Sequence, residues 1–120
     1  MKIQENSRVG LPLEKINAEI INFPMLKKGE VESGDTVLVF TENSLYHIFV
    51  LSPGLCLVFG GWFDQNNLSP QVVSIHGCSW GSSVIQTNIF AACGLHLEFG
   101  NRVVTSAIKK IIFIRGNRRN

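Results

Sequence analysis

A mainly β domain, a small antiparallel barrel or sandwich with one N-terminal amphipathic helix, is what this sequence predicts. Three observations carry that expectation. From Thr36 onward the chain breaks into short runs rich in Val, Ile, Leu and Phe, each bounded by Gly, Asn, Pro or Ser, the pattern of strands and turns. Two of the boundaries, Glu42-Asn43-Ser44 and Gly100-Asn101, have hairpin chemistry, because these residues tolerate positive φ or hydrogen-bond nearby backbone. Several runs, such as Val37-Leu38-Val39-Phe40, are apolar at consecutive positions. Both faces of those strands are therefore expected to be covered, by a closed barrel or a sandwich plus the helix.

Taken in chain order, Pro12 is followed by Leu13, Ile16, Ile20 and Ile21, with Glu14, Lys15, Asn17 and Glu19 between them. This spacing predicts an amphipathic helix over residues 13–22. Pro12 stands where a first turn has no N–H partner to lose, and Pro24 ends the run. Residues 27–35 (KKGEVESGD) are polar with two glycines and read as a loop. Strands are then predicted over 36–41, 45–51, 55–59, 71–77, 83–89, 95–99 and 102–105, linked as a meander. Residues 106–114 (SAIKKIIFI) fit a helix by the spacing of Ile108, Ile111 and Ile112, whereas their β-branched density favours a last strand. The organisation is thus an N-terminal helix and linker over 1–30, a β domain over 31–115 and a disordered basic tail over 116–120.

Composition agrees. A chain of 120 residues accommodates one domain, and 45% hydrophobic with 17% charged residues excludes general disorder. The N-terminal residues lack an apolar signal region, and the longest apolar stretches, residues 55–63 and 111–114, fall short of the roughly 20 a membrane helix needs. With three cysteines, an odd number, a disulfide framework is disfavoured, and a cytoplasmic protein with reduced thiols is expected, with no membrane association. Six of the eleven cations (Arg102, Lys109, Lys110, Arg115, Arg118, Arg119) and none of the nine anions fall in the last twenty residues, making a basic end on a mildly acidic body.

Thr41-Glu42-Asn43-Ser44-Leu45-Tyr46 with Val50, Gly60-Gly61, the segment 77–83, Leu97-Glu98-Phe99 and Val104-Thr105-Ser106 together resemble small uncharacterised bacterial β-proteins. In these a T-x-N-S-x-Y strand pair precedes a glycine-rich segment and a terminal V-T-S element. The resemblance spans residues 31–115. It implies an all-β bacterial cytoplasmic domain and transfers no catalytic residue.

Chemistry-bearing residues are few. His76-x-Cys78 and Cys93-x-x-His96 supply two nitrogens and two sulfurs, a set that suits tetrahedral zinc. Their spacing is not a common structural zinc pattern, and cysteine packs readily as a small core residue, so no metal or cofactor is expected. His76 and Cys78 share a strand face only if Gly77 introduces no bulge. The same thiols and imidazoles form a nucleophilic pair only beside a positive partner that lowers a thiol pKa. Gly77-Cys78-Ser79-Trp80-Gly81 spells G-x-S-x-G, but a strand rather than a helix is predicted to follow, so the match reads as coincidence. Trp62 and Phe63, in the run Phe59-Gly60-Gly61-Trp62-Phe63, form either a contact patch at a glycine bend or a cap on the core. Lys109, Lys110 and Arg115 form either a phosphate-binding surface or a solvated basic face. The function these features favour is a non-enzymatic binding or assembly module, expected to self-associate because surplus apolar surface and edge strands invite cover. A nucleic-acid-binding small β-barrel using the basic end and a Cys/His zinc protein or hydrolase are the alternatives.

Overall fold

The computed structural model describes residues 20–22, 24–81 and 84–116. Eleven strands dominate it. β1 is Ile20–Asn22, β2 Met25–Lys27, β3 Thr36–Thr41, β4 Leu45–Ser52, β5 Leu55–Gly60, β6 Gln71–Val73, β7 Ile75–Ser79, β8 Ile85–Gln86, β9 Ile89–Ala92, β10 His96–Phe99 and β11 Val104–Ile114. A five-residue helix, α1 (Gly61–Gln65), follows β5, and one 3₁₀ turn spans Lys28–Glu30.

The strands form one antiparallel nine-stranded sheet in the order β6-β5-β4-β3-β11-β10-β7-β8, with β1 beside β11, and β2 pairs separately with β9. The first hairpin lies where the sequence puts it: Val37 faces Ile48 and Val39 faces Tyr46 across β3 and β4. Alternation explains the register. Val37, Val39 and Thr41 are buried, as are Tyr46, Ile48 and Val50, while the residues between them point outward.

Residues 102–105 and 106–114 are one strand rather than two, since β11 runs unbroken from Val104 to Ile114. Its first half pairs with β10 and its second half with β3, with a register shift between Ile108 and Lys110 where the partner changes. A bulge there bends the strand. The predicted strand over 71–77 is instead two strands divided at Ser74, so that β6 lies beside β5 and β7 beside β10. Ser74 O accepts a hydrogen bond from Gly100 N at 2.8 Å, which fixes this corner. The bend and the corner fold the sheet over one core, in which Tyr46 of β4 meets Phe99 of β10 with ring centroids 5.5 Å apart.

Several expectations are corrected. The sheet is not a closed barrel: its path ends at β6 on one side and β8 on the other. The helix over 13–22 is not supported; its last three residues are β1, paired with Ile112–Ile114, and residues 13–19 lie outside the described residues. The neighbouring edge of β11 offers backbone hydrogen bonds that two adjacent β-branched residues satisfy in extended form. Residues 27–35 are not loop throughout, because Lys27 closes β2 and the next three residues form the 3₁₀ turn. The segment 83–89 holds β8 and the first residue of β9 instead of one strand. Gly100-Asn101 is not a two-residue loop either: Phe99 N bonds Val103 O at 2.9 Å, and positive φ falls on Arg102. Of the expected tail, Gly116 donates its N–H to buried Asp35 at 2.7 Å, and 117–120 lie outside the described residues.

Candidate functional site

The Cys/His set is dispersed. Glu98 pairs with Gly77 but Phe99 pairs with Ile75, so His76 is the extra residue of a bulge. A Cβ at Gly77 would lie 2.5 Å from Gln86 O, so the bulged strand is pressed against β8. As a result His76 is exposed and Cys78 fully buried, and the condition for their sharing a face is not met. His76 Nδ1 lies 2.9 Å from Glu98 Oε2. Cys78 Sγ points to Phe90 O at 3.8 Å, and burial pushes its thiol up to about 11. His96 Nδ1 is held 2.9 Å from Thr105 O, and Cys93 Sγ lies 3.6 Å from Lys109 O. Among the described residues no three His, Cys, Asp or Glu side chains group to hold a metal ion.

The aromatic pair divides. Phe63 is fully buried, its ring edge-on to Phe99 at 5.1 Å and to Tyr46 at 6.2 Å, whereas Trp62 remains 36% exposed. Gly60-Gly61 makes this turn possible. Gly61 has φ +46° and a Cβ there would run into the Tyr46 ring, while Tyr46 OH accepts the Trp62 N–H at 3.1 Å. The other motifs of the resemblance also have structural work. Thr41 Oγ1 accepts from Ser44 N, Asn43 N donates to Ser106 Oγ, and buried Thr105 Oγ1 accepts from Leu97 N.

The basic residues are spread along β11 and just past its end. Lys109 pairs with Glu42 at 3.6 Å, Lys110 sits over the Phe40 ring at 5.6 Å, and Arg115 over the Phe113 ring at 5.3 Å. Lys110 and Arg115 stand five positions apart, about 17 Å along extended chain.

A surface not singled out in the sequence emerges on the outer face of β6-β5-β4-β3-β11. Alternation turns Leu55, Leu57 and Phe59 of β5 and Leu45, His47, Phe49 and Leu51 of β4 away from the core. Pairing places Val72 beside Leu57, Leu38 beside His47, and Ile112 and Ile114 beside Leu38 and Thr36 on the same face. Leu45, Phe49, Leu51, Leu55, Phe59 and Val72 each keep 38–47% of their surface exposed. Two adjoining depressions mark this face. One, of about 480 Å³, is lined by Thr36, His47, Phe49, Leu57, Phe59 and Ile114. The other, of about 460 Å³, reaches Ser44 and Asp64 at the hairpin end. They share His47 and Phe59, whose rings meet edge-on at 6.3 Å. The signal for this surface in the sequence is apolar residues at both parities of β3, β4 and β5, a pattern that also fits strands covered on both sides.

Comparison with protein-family models, curated proteins and solved structures returns no match.

Proposed function

We propose that this chain is a binding or assembly module whose working surface is the outer face of β3 to β6 together with β11. The observation that carries this reading is the contiguous row of large apolar side chains exposed across β4, β5 and β6 and continued by half-buried Leu38, Phe40, Ile112 and Ile114 on β3 and β11, with His47 and Lys110 among them and Asp64 at the hairpin-end depression as the ionisable groups. Five strands at about 4.8 Å spacing and some six residues of strand length make a face of roughly 20 by 20 Å. An apolar patch of about this size, within the roughly 300–600 Å² of the largest patch on a typical monomer, is often a functional surface. Depressions flanking the central His47–Phe59 pair give the face relief, so that a partner is recognised by shape as well as by apolar area.

Carbene footprinting of the full chain at low micromolar concentration tests this. Phe49, Leu55 and Phe59 are expected to label strongly when the chain is alone, and a Phe49→Lys variant to lose most binding of an apolar fluorescent dye. Outer side chains that stay unlabelled while the chain is monomeric would refute the reading.

A further inference from the structure

We infer that the partner for the outer face is a second copy of this chain, stacked sheet on sheet; this rests on the binding reading above and names its partner. Three features of the face point to a copy of itself. The first is size. A face of about 20 by 20 Å projects to some 400 Å², below the roughly 800 Å² that one side of a standard interface buries, so its size fits a small contact that fills in the micromolar range.

Composition is the second. Interfaces between like subunits are more apolar than those between transient unlike partners, which rely on more polar contacts. Here the strand positions facing outward between Leu45 and Phe59 are apolar except for His47 and the Ser52 turn end, and no carboxylate stands among them. The third is self-compatibility. An isologous contact sets one patch against itself, so like charges in its middle would be opposed across the two-fold axis. Lys110, the lysine on this face, lies at its β11 end with its ammonium over Phe40, and Asp64, the carboxylate in the hairpin-end depression, sits on α1 beyond the strands and accepts the Gly60 N–H at 3.0 Å. Two such faces stack about 10 Å apart with side chains interdigitating, in the manner of sheet-on-sheet packing.

The experiment is sedimentation equilibrium of the full chain from about 1 to 100 μM, run with Phe49→Lys, Phe59→Lys and Trp80→Lys, each checked for native circular dichroism. Trp80 is the control, being 72% exposed after β7, away from the outer face. The wild type and Trp80→Lys are expected to reach twice the 13.3 kDa chain mass, with both face variants at least 100-fold weaker in association. Carbene labelling of Phe49 and Phe59 is expected to fall as the dimer fills. A wild type that stays monomeric with a labelled face overturns the self-pairing and leaves the binding reading standing, with an unlike protein as partner. A monomer whose face is protected overturns both, because the face is then covered by the rest of its own chain. A dimer that persists in both face variants also overturns the inference, because the copies then meet elsewhere.

Discussion

Replacing Phe63 by alanine separates a core role from a binding role for the aromatic run, and the structure supplies the magnitude. Phe63 has no exposed surface and is ringed by Tyr46, Trp62 and Phe99, with centroids 6.2, 5.4 and 5.1 Å away and planes near perpendicular. Truncating a buried phenylalanine costs about 3–5 kcal/mol through lost transfer energy and the cavity left behind, and edge-on ring pairs place this site in the upper part of that range. The loss also spreads locally. A five-residue helix has no stability of its own, and Phe63 is the buried residue that ties α1 to the sheet. For a chain of 120 residues, total stability of about 6–18 kcal/mol makes a loss of about 4 kcal/mol a large fraction. Urea unfolding followed by far-ultraviolet circular dichroism, at one fixed protein concentration, should show the midpoint falling by roughly 2 M at unchanged slope. Trp62→Ala, at a site 36% exposed, should cost less than half as much. A Phe63→Ala loss below about 1 kcal/mol, or a larger loss from Trp62→Ala, would refute the assignment of Phe63 to the core.

Other consequences can be read at specific residues. Cys56 and Cys78 are both pushed up to about 11 by burial, so a thiol reagent at pH 8 should modify exposed Cys93 quickly and the other two only on unfolding, counted by intact mass. Because their folded pKa values lie above the ordinary 9.0, their contribution to stability is intact below pH 9. It is lost as pH rises towards 11, where the unfolded chain releases protons the folded one keeps, at about 1.4 kcal/mol per thiol per pH unit; denaturant midpoints at pH 8 and 10 check this. Asp35 is fully buried and accepts N–H bonds from Glu32 at 2.8 Å and Gly116 at 2.7 Å. Asp35→Ala should therefore cost about 2–3 kcal/mol in urea unfolding and raise amide exchange at Gly116. Gly61→Ala sets a methyl against the Tyr46 ring at a φ of +46°, so a loss of about 2 kcal/mol or more in the same assay is expected, with the Trp62 amide resonance shifted.

What the sequence by itself determined is what rests on neighbours along the chain. The hairpin of β3 and β4 was legible because period-two alternation and a Thr41–Ser44 turn closed by its own side chain are local. The mainly β class and the β-branched preference of residues 106–114 for a strand were legible for the same reason. Tertiary structure decided whatever depended on a partner distant in sequence. Ser74 breaks a continuous Val- and Ile-rich run because Gly100, 26 residues on, bonds its carbonyl and the two halves join opposite ends of the sheet path. Ile20 and Ile21 suit a helical stripe in isolation and became strand where β11 offered an open edge. The bulge at His76 sent its imidazole to Glu98 and left Cys78 in the core, which dissolved a ligand set that spacing alone kept open. The outer face shows the same limit. Apolar residues at both parities declare that two surfaces of a strand avoid water, but which surface the chain covers is set by how the sheet folds. Here it folds at β11 and Ser74 over Tyr46 and Phe99, and Phe49 and Phe59 stay on the exposed side.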